Sequence, residues 1–166
     1  MRLAAFDLDG TLLRSDGSVS PRTRAAVQAV LTAGIEIVLV TARGPRTIGE
    51  LADQLGIGGE AICSNGAIVL DLATREIRRM REIETEVAVA LVHGLRERLP
   101  GILFAVEREA ISFEPGFSAW DFWTPPPDLR VADAIELLDR PPAKLILRHA
   151  GYEVEVIASV ARELLG

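Results

Sequence analysis

Asp7 and Asp9 close the chain's first apolar run, in Phe6-Asp7-Leu8-Asp9-Gly10-Thr11-Leu12-Leu13. Along an extended chain, residues two apart share one face and the residue between them points to the other. The pair therefore offers two carboxylates to one place. One carboxylate beside a cation is able to attack phosphorus as a nucleophile, and the second to deliver or remove a proton. Gly10 permits a sharp turn that brings backbone N–H groups close to an anion. If residues 3–6 form a buried strand, both acids emerge at its carboxyl end, where open parallel sheets bind ligands. Two other readings compete. Aspartate before glycine is common in ordinary turns. A calcium loop would need acids at alternate positions through a sixth-position glycine and a closing Glu; Gly10 comes too early for that, and a strand rather than a helix precedes the acids.

The elements around this loop are legible from pattern. Ser20 and Pro21 read as the N-cap and first residue of a helix, with Ala25, Ala26, Ala29, Val30 and Ala33 as its buried stripe and Gly34 as its end. Residues 35–40 are nearly all apolar and mostly β-branched, as in a parallel strand buried on both faces. A strand, a helix and a strand with short links make a right-handed unit that sets the second strand beside the first. Thr41 then follows a strand end that neighbours Asp7, where its hydroxyl is able to hydrogen-bond a phosphate oxygen. A helix N-cap is the other reading of Thr41, and both hold together. Arg43 carries a fork suited to phosphate, whereas Arg46 reads as a solvated charge. The segment from Gly44-Pro45 begins a helix through Ile48, Leu51, Ala52 and Leu55 whose amino end favours anions. Asp16-Gly17 predicts either a small hairpin flap over the site or a plain connecting turn. Residues 61–64 read as a third strand, and Asn65-Gly66 as a type I′ turn into residues 67–70.

Asp7-Leu8-Asp9-Gly10-Thr11-Leu12 resembles the first motif of the haloacid dehalogenase-like (HAD) hydrolases, in particular the Cof-type sugar-phosphate phosphatases, and Thr41 resembles their second. The resemblance implies an α/β fold, a Rossmann-like parallel-sheet core with a smaller α/β cap of the C2 type. It implies Asp7 as the nucleophile that becomes an aspartyl-phosphate and Asp9 as the general acid and base. It implies Mg²⁺ held by Asp7, the backbone carbonyl of Asp9 and an acid from a later motif. Asn65 matches an Asn-Gly near the mouth of the family's active site, so Thr41, Arg43 and Asn65 are the expected phosphate ligands. Cof-type proteins usually read Thr-Gly-Arg where this chain has Thr41-Ala42-Arg43. The specific motifs cover roughly residues 1–70. The expected organisation is residues 1–81 as the first part of the core, with the catalytic loop, the flap hairpin and three strands, and residues 82–166 as part of a cap. The family's C-terminal return segment, with its lysine and Gly-Asp-x-x-Asn-Asp motifs, is expected to be absent. Lys144 is the only lysine, and its setting in residues 142–147 reads as a cap strand rather than that lysine motif. Without the return segment, residues 3–6 would form an exposed apolar edge able to pair with another chain.

The remaining chain is plainer. Residues 84–99 read as a helix burying Val87, Leu91, Val92 and Leu95, residues 102–106 and 110–113 as antiparallel strands, and 133–138, 143–148 and 153–165 as helix, strand and helix. His93 has no second histidine at ligand spacing and reads as a surface or packing residue. Trp120-Asp121-Phe122-Trp123-Thr124-Pro125-Pro126-Pro127 is a rigid aromatic loop that lines a substrate mouth, meets a partner or closes a core.

With 166 residues, 49% apolar and 25% charged, the chain has the profile of a folded globular protein. Its formal charge of −6 argues against a nucleic-acid surface. Cys63, the one cysteine, excludes an intrachain disulfide and reads as a buried small hydrophobe. The first apolar run is too short for a signal peptide, and no apolar stretch approaches the ~20 residues of a membrane span. A cytoplasmic protein without membrane or nucleic-acid partners is expected. The leading expectation is a Mg²⁺-dependent phosphatase of small phosphorylated metabolites, with a homo-oligomer formed through the uncovered sheet edge as one further expectation. The alternative is a non-catalytic or regulatory binding module that kept the fold without the lysine and metal-acid motifs.

Overall fold

In the computed structural model, which describes residues 2–117 and 129–166, the β-branched run after the first helix is the most deeply buried strand of a mixed α/β unit. Contacts divide the chain into Met1–Arg81 and Glu82–Gly166. The first unit contains strands β1 (Leu3–Asp7), β2 (Glu36–Val40), β3 (Glu60–Cys63), β4 (Ile68–Asp71) and β5 (Ile77–Met80), with helices α1 (Pro21–Thr32) and α2 (Ile48–Leu55). They form one sheet in the order β1-β2-β3-β4-β5. The first three strands are parallel and the last two antiparallel. The sheet has five strands, the three expected and then β4 and β5, formed where the chain turns back twice after β3.

Ile37, Val38 and Leu39 of β2 are buried, since β2 has a strand on either side and α1 and α2 pack in the same unit. β1 lies at the sheet edge, and Leu3 is 54% exposed. Ser20 caps α1 by accepting the N–H of Thr23 at 2.9 Å, with Pro21 in the first turn. The buried stripe of α1 differs from the expected one. Val27 is its buried residue, while Ala25, Ala26, Ala29 and Ala33 are exposed. Burial follows the branched side chains Val27, Val30 and Leu31, whose larger apolar area gains more from contact than a methyl group does. Helix α2 buries Ile48, Leu51, Ala52 and Leu55, as its pattern predicts, and ends at Gly56 in the left-handed conformation. Asp16 and Gly17 make a turn closed by the Arg14 N–H on the Ser18 carbonyl at 2.9 Å. The Gly17 N–H returns to the Arg14 carbonyl at 2.9 Å, so the turn has the two bonds of a small hairpin, with Gly17 left-handed at φ 78° and no ladder strand beside it.

The second unit contains α3 (Thr85–Arg98), β6 (Leu103–Glu107), β7 (Ile111–Phe113), α4 (Ala134–Leu137), β8 (Lys144–Arg148) and α5 (Val154–Leu165). β6 pairs antiparallel with β7 on one side and β8 on the other. Val92, Leu95, Phe104, Val106, Leu137 and Ile157 build its core. Val87, expected in the buried stripe of α3, is 40% exposed, and Ala88 takes its place inside. Lys144 opens β8 with its Nζ 3.9 Å from Glu107 Oε2, a strand position in this second unit. His93 is exposed on α3. The aromatic segment 120–127 lies outside the described residues. Among the described residues no helix is long and apolar enough to cross a membrane.

Candidate active site

The alternation around Leu8 sets the two acids. Leu8 is fully buried, while Asp7 and Asp9 on either side of it are exposed. The Leu8 carbonyl accepts the N–H groups of Thr11, Leu12 and Leu13 at 3.2, 3.1 and 2.8 Å. Gly10, at φ 76°, supplies the left-handed residue this tight reversal needs. Leu12 and Leu13 then pack inward and anchor the loop from below. The apolar residues fix the turn, and the turn fixes the acids.

Strand register carries the next residue into place. Asp7 pairs with Val40, so Thr41 lies one step past the neighbouring strand end, on strands spaced about 4.8 Å apart. Thr41 is buried, its N–H donating to the Ile62 carbonyl at 2.9 Å. Its Oγ1 accepts the N–H of Arg43 at 3.1 Å, so the hydroxyl closes a local turn and does not cap the following helix. That helix begins as a single 3₁₀ turn, Pro45–Thr47, capped by Gly44 without a side-chain bond.

Arg43 does not stand open to an incoming anion. Its Nε donates to Asp9 Oδ2 at 2.9 Å and its Nη2 to Asp9 Oδ1 at 2.5 Å, a two-point fork on the acid expected to transfer protons. The hydrogen bond to Asp9 raises the Arg43 guanidinium above its ordinary range. For Asp9 to donate a proton, this fork has to open.

The third strand end is tied to the second. Ser64 N–H donates to the Arg43 carbonyl at 2.9 Å, and Asn65 N–H to the Thr41 carbonyl at 3.2 Å. The expected type I′ turn is not what links β3 to β4. Cys63 pairs with Ile68, which leaves a four-residue loop, and Ser64, Asn65 and Gly66 all have positive φ, at 53°, 58° and 98°. Four residues are needed because the loop also bonds back to the Thr41 segment. Asn65 is exposed at this edge. The structure thus brings Asp9 and Arg43 into contact and links Thr41, Arg43 and Asn65 through backbone bonds. Asp7 joins them through strand register. Ser64, expected as the last residue of the third strand, lies just past β3 with a left-handed backbone that nothing in its type announces.

The oxygen donors available to a divalent cation are the Asp7 carboxylate and the Asp9 backbone carbonyl. Hard oxygens suit Mg²⁺, which is commonly held by one or two carboxylates with water and phosphate completing its shell. The described residues contain no group of three His, Cys, Asp or Glu able to hold a metal ion. The two loop oxygens match the ion in kind and supply part of its shell, with water and phosphate left to complete it.

A sequence profile of the haloacid dehalogenase-like hydrolases matches residues 4–152. The chain belongs to this family. Among HAD-like relatives, the HMP-PP phosphatase of Serratia proteamaculans is 32% identical over 92 residues, which are 55% of this chain and 33% of that protein. Phosphatase YwpJ of Bacillus subtilis is 39% identical over 71 residues, 43% of this chain and 25% of its own. BT1666 from Bacteroides thetaiotaomicron, a HAD phosphatase, superposes with a TM-score of 0.74 at 22% identity, over 99% of this chain and 60% of that one. The HAD subclass IIB sugar phosphatase BT4131 superposes with a TM-score of 0.75 at 21% identity, over 99% and 62%. At such identity these structures establish the HAD fold alone. The matches span a quarter to a third of the two curated relatives and about three fifths of the two solved structures.

Proposed function

We propose that this HAD-family chain carries the catalytic loop of a Mg²⁺-dependent phosphatase acting on small phosphorylated metabolites such as sugar phosphates. Residues 1–81 are the first part of the catalytic core and residues 82–166 part of a cap that sets the substrate. A cytoplasmic location accompanies this reading. Asp7 Oδ attacks phosphorus, forming the aspartyl O–P bond as the ester P–O bond breaks. Asp9 gives its proton to the leaving oxygen, then takes one from a water that attacks the same phosphorus and releases Asp7 and phosphate. Thr41, Arg43 and Asn65 hold the phosphoryl oxygens. Bound Mg²⁺ would offset charge on phosphate oxygens that otherwise repel the Asp7 carboxylate.

The observation that supports this most is the adjacency of Asp7 and Thr41 at neighbouring strand ends, in register through Asp7 and Val40. Hydrolysis of p-nitrophenyl phosphate by the protein, with and without Mg²⁺, is the test. Asp7→Asn abolishes turnover on this reading; turnover untouched by that substitution ends it.

A second reading, a non-catalytic binding module, is favoured by the Arg43 fork on Asp9. It expects phosphate binding without turnover in the unaltered protein, so the same assay separates the two.

A further inference from the structure

Ser64 has no role in the reading above, yet several independent observations single it out. Its Oγ is buried and lacks a hydrogen-bond partner among the described residues, on a side chain in a residue only 2% exposed. A hydroxyl withdrawn from water without a partner is costly, and native structures keep few such groups. Its backbone is left-handed, at φ 53°, where non-glycine residues are uncommon. Strain of this kind gathers at ligand sites when the surroundings enforce it. Here the enforcing bonds are visible, from Ser64 N–H to the Arg43 carbonyl and from Asn65 N–H to the Thr41 carbonyl.

The position also fits a site. Thr41 N–H bonds the Ile62 carbonyl beyond the Val40 and Ile62 pair, which sets the ends of β2 and β3 side by side. Asp7, Thr41 and Ser64 therefore occupy the carboxyl ends of three successive parallel strands. Thr41 Oγ1 already accepts one hydrogen bond, from Arg43 N–H. Among the described residues, Ser64 brings a hydroxyl with neither its donor nor its acceptor capacity used.

We infer that the Ser64 hydroxyl is a further anion-binding group of this site, donating a hydrogen bond to an oxygen of the phosphoryl ligand alongside Thr41. The inference rests on the phosphatase reading for the ligand's chemistry. It gives a use to a hydroxyl that is buried without a partner, on a serine whose left-handed backbone is held by bonds to the Thr41–Arg43 segment.

Calorimetric titration of inorganic phosphate into the purified protein, with urea unfolding in parallel, tests this on Ser64→Ala and Ser64→Gly. Both substitutions delete the hydroxyl, but glycine suits a positive φ and alanine does not. The expected result is phosphate affinity about tenfold weaker in both, as for a lost hydrogen bond to a charged group, with the glycine variant the more stable to urea. Affinity that follows stability, with Ser64→Gly binding like the unaltered protein, assigns the effect to the backbone and overturns the inference. So do affinities within twofold of the unaltered protein in both variants, or no saturable phosphate binding before substitution. Affinity is read without turnover, so hydrolysis indifferent to Asp7→Asn would remove the phosphatase reading and leave this result standing.

Discussion

Arg43 and Asp9, 34 residues apart in the chain, meet through two hydrogen bonds that occupy both oxygens of the carboxylate. Two groups expected to act on a substrate thus neutralise each other at rest. Both are well exposed, at 37% and 55% of their side chains, so the pair adds little to stability. Arg43→Gln is expected to change the unfolding free energy by less than about 1 kcal/mol in urea titration. Asp9→Asn is expected to lower p-nitrophenyl phosphate turnover by about a hundredfold or more, the usual worth of a general acid and base. Turnover unaffected by Asp9→Asn would remove that acid from the mechanism.

The buried residue between the acids makes a sharper test of how the loop is built. Leu8→Ala removes a fully buried side chain beneath the turn and is expected to cost about 2–5 kcal/mol. Ala29→Ser, on the exposed side of α1, should stay within about 0.5 kcal/mol. Urea midpoints of the two variants decide it; a large loss from Ala29→Ser would restore the alanine stripe as a buried face.

Asp71 sets an acid limit in the first unit. N–H groups of Thr74 and Ala73 and the Arg78 guanidinium hold its carboxyl down to about 2, from the ordinary 3.8. A carboxyl depressed in the folded state stabilises fully above its unfolded value and loses that contribution as pH falls through the folded one. Asp71→Asn should therefore melt below the unaltered protein at pH 5 to 7, the gap closing between roughly pH 4 and 2. Melting curves that keep a constant gap across that window would contradict this.

The edge strand makes a prediction about association. β1 exposes Leu3 at the rim of the sheet, where unpaired backbone groups favour pairing with another chain. Leu3→Lys is expected to shift the protein toward monomer in sedimentation velocity at increasing concentration. A monomer at all concentrations before substitution would remove self-association through this edge.

Much of this architecture was written in local pattern. Ser20 and Pro21 announce α1, Gly56 ends α2, and the β-branched run at β2 is buried as its composition requires. The acids bracket buried Leu8, a local feature of the end of β1 and the tight turn that follows it. Such features depend on residues within a turn or two of each other, so spacing suffices to reveal them. The exposed face of α1, the Arg43 fork on Asp9 and the left-handed Ser64 depend instead on which strands pair and in what register. A helix with small residues on several sides has no intrinsic reason to bury one of them, and an arginine selects its carboxylate only once distant strand ends are side by side. Chain order named the chemical groups; pairing across β1, β2 and β3 chose their partners, because contacts between residues far apart in sequence exist only after the sheet has assembled.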